Sequence, residues 1–223
     1  MHTYIPFFVV ATCFATPLLA DTFEVGAGKP YSTIQAAVDD AVDGDQVLVY
    51  PGTYSSTANN VVAVHDKSIS IKSTGGSAQT FIDGEGVRRC VRHKATGTGS
   101  LLEGFTLRNG WKDNSSTYGG GGLFVKDGEL HIDSCEFVVN HATNGGGAMV
   151  QESTAVFSNC TFKSNLATSY GGGIYATASD LTLEAGTTIS DNSATDGGGL
   201  ALVSLSSQAM FFSTTICGNN PGG

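Results

Sequence analysis

The sequence has 223 residues, 40% of them hydrophobic, and sets 20 acidic side chains against 11 Lys and Arg for a net charge of −9. That balance excludes a general attraction to nucleic acid or to an anionic membrane surface. The length is ample for one elongated domain.

Residues 1–20 read as a secretory leader. Ile5 to Ala11 is an unbroken apolar run, Phe14 to Leu19 is mostly apolar, and Ala20 precedes the polar Asp21. The n-region carries His2 but no Lys or Arg, and Thr12, Thr16 and Pro17 interrupt a segment already short for spanning a bilayer. The expected product is residues 21–223, secreted or cell-surface, with no transmembrane segment.

Asp21 to Val25 predicts a first strand, and an amphipathic helix follows at about 32–42. Ser32 with Gln35 three positions on is a capping box, and Ile34, Ala37, Val38 and Ala41 form one apolar face opposite Asp39, Asp40 and Asp43. A one-faced helix at this place is expected to lie as a lid over an open end of the fold. Gly44 to Tyr54 then supplies a strand and a turn.

Six of the eleven cations, Arg88, Arg89, Arg92, Lys94, Arg108 and Lys112, fall within residues 88–112. They suit an acidic polysaccharide or simply a solvated face. The stretch Trp111 to Tyr118 breaks the spacing of its surroundings and reads as a longer loop, where sites tend to lie. Trp111 there suits stacking on a sugar ring or packing on its own loop.

From residue 120 a period takes over. Gly-Gly-Gly begins at 120, 145, 171 and 197, a repeat of 25–26 residues. In phase with it comes an apolar residue followed three positions later by Asn: Phe137/Asn140, Phe162/Asn165, Ile189/Asn192 and Ile216/Asn219, with Gly104 to Gly110 as an earlier relative. Short β-rich stretches between turn residues fill each period, too short for helices. The fold class predicted is all-β: a single-stranded right-handed parallel β-helix of roughly seven or eight coils, stacked about 4.8 Å apart. Regular coils are expected over about 105–223. Glycine permits close backbone approach and positive φ. Asn suits a left-handed turn position, its amide bonding the Asn of the next coil as a ladder.

Cys90, Cys135, Cys160 and Cys217 follow the leader. Cys135 and Cys160 share one position in successive coils, so a disulfide and a buried ladder of thiols both fit.

Tyr31 to Val38, Asp43-Gly44-Asp45 and Val49 to Tyr54 resemble the entry segment of right-handed β-helix proteins of the pectate-lyase-like superfamily. The C-terminal half resembles the repeats of chlamydial polymorphic outer membrane proteins, which pair a Gly-Gly-Ala-type motif with Phe-x-x-Asn. Those proteins end in a membrane β-barrel, and this sequence reaches Gly223 without one. The entry segment is also similar to that of pectin methylesterases, yet their Gln-Asp-Thr, Asp-Phe-Ile-Phe-Gly and Gly-Arg-Pro-Trp elements are missing. So are the Asn-Thr-Asp and Arg-Ile-Lys elements of polygalacturonases, and the one Asp-Asp, Asp39-Asp40, lies on the helix.

Two functions follow. The first is a non-catalytic surface module that binds extracellular polysaccharide or a surface protein, with Arg88, Arg92, Lys94, Trp111, Lys112 and Tyr118 as ligand-binding candidates and no cofactor. The second is a calcium-dependent polysaccharide lyase, in which Asp83, Glu85 and Asp113 hold the metal and Arg88, Arg92 or Arg108 abstracts a proton. Phosphate-loop, nucleophile-elbow and nonapeptide calcium-roll patterns are absent. His65, His93, His131 and His141 are scattered and read as surface residues. Apolar Met210, Phe211, Phe212 and Ile216 in the last repeat point to end-to-end self-association.

Overall fold

The computed structural model describes residues 20–112 and 119–221. The segment read as a leader lies outside them, Ala20 excepted, as do Asp113 and Tyr118. The described chain is a single-stranded right-handed parallel β-helix with one short helix before the first coil. Its strands form four parallel sheets of eight, seven, five and six strands, visited in that order. One full coil runs Glu129–Asp133 in the first sheet, Glu136–Val138 in the second, His141–Asn144 in the third and Ala148–Gln151 in the fourth. The third sheet begins only at Trp111–Lys112; the coils before it have three sheets.

The core consists of columns in which each coil contributes one side chain. Ile82, Leu107, Phe137, Phe162, Ile189 and Ile216 are register partners through the second sheet. Phe137 and Phe162 stack with ring centroids 4.3 Å apart. Facing them, the first sheet stacks Val47, Ile71, Leu102, Ile132, Phe157 and Leu183, and Phe157 meets both Phe rings edge-on. Burying a column of this kind is the main stabilising term in a stack that has no globular centre.

The asparagine ladder is complete from Asn140 to Asn219. The Nδ2 and backbone N–H of Asn140 both donate to Asn165 Oδ1 at 3.0 Å, and Asn165 and Asn192 repeat the arrangement onto Asn192 and Asn219. Each Nδ2 also donates to a carbonyl three residues upstream of the ladder position one coil back: Leu107, Phe137, Phe162 and Ile189. The left-handed position is not the Asn, as the sequence suggests, but the residue before it: Val139, Ser164, Asp191 and Gly218 have φ between 55° and 63°. In the coil before the ladder this phase places Leu107 in the core column and Gly110 at the ladder position, where its N–H donates to Asn140 Oδ1 at 2.8 Å. Asn109 is therefore the left-handed residue of that turn, with φ 52°.

The glycine runs lie directly over one another. A Cβ on Gly172 would stand 2.4 Å from the carbonyl oxygens of both Gly198 and Ser193, so no side chain fits.

All four described cysteines are free thiols. Cys135 and Cys160 belong to a column that continues with Thr187 and Thr214. Their Sγ or Oγ1 atoms donate to the carbonyls of Leu102, Ile132, Phe157 and Leu183, at 3.6, 3.5, 3.0 and 3.0 Å. The thiols thus do a hydroxyl's work within a ladder, which resolves the two readings in favour of unpaired sulfurs. Burial drives the Cys135 thiol up to about 12 and that of Cys160 well above its ordinary value.

The helix spans Ile34–Asp40 and buries Ile34, Ala37 and Val38. Its N-cap is Thr33, whose Oγ1 accepts from Ala36 N–H at 3.2 Å, and not Ser32. Gln35 consequently makes no capping box. Its amide bonds both the N–H and the carbonyl of Ala63, at 2.6 and 3.1 Å, closing the free edge of the fourth sheet's first strand. Lys67 Nζ donates to the carbonyls of Val38, Asp39 and Ala41, at 2.8, 3.2 and 2.7 Å, and caps the other helix end. The lid expected from the sequence is therefore tied down at both ends. No helix among the described residues is long and apolar enough to cross a membrane.

Two outcomes follow. Asn165→Ala leaves the buried N–H of Asn140 without a partner and removes one of the two acceptors of its Nδ2, and should cost about 3 kcal/mol in urea unfolding; a loss under about 1 kcal/mol would show that the ladder is dispensable. In the native protein a thiol reagent should label exposed Cys217 and spare Cys90, Cys135 and Cys160 until denaturant is added, read by peptide mass.

Candidate functional site

The acidic and basic residues singled out near position 85 come together, but as pairs. Asp83 and Arg108 sit in neighbouring strands of the second sheet and are register partners. Arg108 Nε donates to Asp83 Oδ2 at 2.8 Å, and its guanidinium lies 4.3 Å above the Phe81 ring. Burial alone would raise the Asp83 carboxyl; hydrogen bonds from Glu85 N–H, Asn109 and Arg108 outweigh it and hold it below its ordinary value. Glu85, in the left-handed region at φ 55°, pairs with Arg88. Both carboxylates thus face guanidinium groups. Asp83 and Arg108 lie one period apart, so opposite charges at coil spacing were the readable signal.

The other cations lie elsewhere. Arg92 and Lys94 are on the fourth sheet, Arg92 with Nη1 3.3 Å from His65 Nε2 and Lys94 with Nζ 3.8 Å from Asp127. Arg89 is one that sequence reasoning passed over. It is 3% exposed, donates to the carbonyls of Gly120 and Gly119 and to Asn60 Oδ1, and lies over Phe124. Burial, with Arg92 near it, lowers its pKa to about 10. It pins the first glycine run. The cluster of six cations seen along the sequence is therefore no single patch. Nor do the carboxylates gather: among the described residues no three His, Cys, Asp or Glu side chains are placed to hold a metal ion.

Trp111 occupies the first rung of the third sheet, opposite His141. The two rings stack with centroids 4.0 Å apart and planes 21° from parallel, and 38% of Trp111 remains exposed. The next register partner is Leu166, 44% exposed. Beside this column runs the turn between the second and third sheets, with Asn109, Val139 and Ser164. Between them lies a mostly apolar groove of about 400 Å³, floored by Gly110 and Asn140 and closed at one end by Gly86. Among the described residues no Lys, Arg, Asp or Glu lines it. Lys112 follows Trp111 in the same strand, paired in register with Ala142.

A second groove, of about 420 Å³, runs along the corner between the fourth and first sheets and is lined by Asp127, Glu129, Glu152 and Asp180 among hydroxyl residues. Its floor is a serine ladder absent from the sequence reading: Gly128 N–H donates to Ser153 Oγ at 3.4 Å, and Ser153 N–H to Ser179 Oγ at 3.2 Å. The 25–26-residue spacing of 128, 153 and 179 marked it.

The histidines divide. His131 is exposed, and His141 underlies Trp111. His93, read as a surface residue, is instead 3% exposed, between Val64 and Val125 in the fourth sheet, with neither ring nitrogen hydrogen-bonded.

A family model described as the Chlamydia polymorphic membrane protein repeat matches residues 159–177. The match covers three of the four strands of one coil, from Asn159 through Phe162, Asn165 and the third glycine run to Thr177. Among solved structures the chain is similar to the pectin methylesterase from Aspergillus niger in penultimately deglycosylated form, at 13% identity and a TM-score of 0.46, covering 92% of this chain and 87% of that one. The deglycosylated form of the same enzyme aligns at 14% identity with a TM-score of 0.39, covering 93% and 87%. No curated protein matches.

Burial lowers the His93 pKa to about 4, against 6.5 ordinarily. Unfolding therefore takes up a proton below pH ~6.5, so the stability that neutral His93 permits is complete above that pH and is lost as the pH falls toward 4, by about 3 kcal/mol. His93→Leu should flatten this part of the profile in denaturant melts at pH 5 and pH 8. An unchanged slope would assign it to other groups.

Proposed function

We propose that the chain is a secreted or cell-surface β-helix module that binds an extracellular polysaccharide or a surface protein without chemical turnover. The observation that carries this reading is the Trp111–His141 stack beside an open groove on a rigid coil surface. An aromatic face fixed in place costs little ordering on binding, and longer connections on a rigid scaffold are where recognition concentrates. The chemistry a lyase needs is less well served, since Asp83 and Glu85 already neutralise Arg108 and Arg88. Within this reading Arg92 and Lys94 contribute long-range attraction at the fourth sheet. The apolar residues Met210, Phe211, Phe212 and Ile216 of the last coil, 46–55% exposed, give the module a surface for self-association.

The test mixes the secreted protein with acidic and neutral polysaccharides, with and without calcium. It follows co-sedimentation and the ultraviolet absorbance of unsaturated products in the same tubes. Pelleting with a polysaccharide and flat absorbance is the expected result. Absorbance that grows with time and requires calcium would replace this reading with the lyase, and Arg108→Ala would then abolish it.

A further inference from the structure

We infer that the groove beside Trp111 takes a neutral pyranose chain, one sugar ring stacked on the indole, and not an acidic uronan. This rests on the glycan-binding reading above and narrows it to a ligand class.

Three observations converge. The first is charge. A uronate-binding groove needs cations facing the carboxylates, and among the described residues no Lys or Arg lines this groove. The nearest guanidinium groups are committed, Arg88 to Glu85 and Arg108 to Asp83. An acidic chain laid here would meet no unpaired guanidinium along the walls and would lose hydration without return.

The second is the platform. A pyranose presents one face of C–H groups, which suits an aromatic ring, while its hydroxyls point outward to polar partners. Trp111 is stacked on His141 by one face, lines the groove and remains 38% exposed. Ser164 places a hydroxyl along the opposite wall, beside Asn109, whose Nδ2 is bonded to Asp83. A bare apolar side chain would use the indole but offer that hydroxyl no partner.

The third is repeat length. Trp111, His141 and Leu166 are consecutive rungs of one column, spaced by the strand separation of about 4.8 Å. Val139 and Ser164 repeat across the groove at the same interval. That interval is comparable with the rise per sugar of an extended glycan, so with one ring on the indole face that His141 leaves free, the following sugars pass the edges of His141 and Leu166 coil by coil.

The sequence contains a single tryptophan, so intrinsic fluorescence reports this groove alone. The full secreted chain is titrated with hexamers of β-1,4-glucose, β-1,4-mannose, β-1,3-glucose and α-1,4-galacturonate, and total binding is followed in parallel by calorimetry. At least one neutral hexamer should shift the Trp111 emission, with an affinity unchanged by roughly 0.5 M NaCl. Trp111→Ala should weaken it by about tenfold or more, while Trp111→Phe retains most of it and neither variant alters the thermal midpoint. Preferential binding of the galacturonate hexamer that fades with salt would overturn the neutral-ligand inference and leave a glycan module standing. So would a neutral hexamer that binds by calorimetry without moving the fluorescence, since the site would then lie elsewhere. If no hexamer binds by either readout, the inference and the glycan reading fall together.

Discussion

Everything in this fold depends on successive backbones lying one strand spacing apart at every corner. At that distance a turn has room for a hydrogen atom, or for a flat group that bonds the coil above and the coil below. The glycine runs are the first solution and the Asn140-to-Asn219 ladder is the second. The serine corner and the column Cys135, Cys160, Thr187, Thr214 apply the second solution with smaller groups. Each corner converts orphan backbone groups into partners for the neighbouring coil, which is what allows a domain without a globular centre to exclude water from its interior.

This constraint also explains what was legible in the sequence. A ladder pairs a residue with its own counterpart one period away, so it prints itself as a repeat. Phe162 and Asn165 announce their neighbours because those neighbours are Phe or Ile and Asn. The cysteines were ambiguous for the same reason: their column changes residue type, and only the alignment of Thr187 and Thr214 with them reveals the shared hydrogen-bonding role. The helix lid was readable from its apolar stripe, while its cap shifted by one residue because Gln35 was drawn to the open strand edge at Ala63. Local capping preference lost to a tertiary bond.

The candidate site was legible in its parts and not in its assembly. Trp111 stood out as the only tryptophan, but nothing in its surroundings in the sequence pointed to His141, thirty residues on. The cationic run at 88–112 read as one patch because residues close in sequence were taken as close on one face. Strand alternation and coil closure send them different ways: Arg89 inward beneath the glycines, Arg92 and Lys94 along the same fourth-sheet strand, Arg108 to Asp83 in the second sheet. Contacts between unlike residues repeat no residue type, so they are legible only where, as with Asp83 and Arg108, opposite charges fall at the coil spacing.

The third sheet starts at Trp111, and the change of cross-section at that rung has a further meaning for how such chains diversify. Coils beyond Asn144 are near copies of one another, so duplicating or deleting one alters length while every remaining ladder finds an equivalent neighbour. The boundary rung has no such twin. Evolution can therefore adjust the reach of this protein by whole coils, like sliding rings on a rod, while the one feature that distinguishes its surface stays at a fixed distance from the lid.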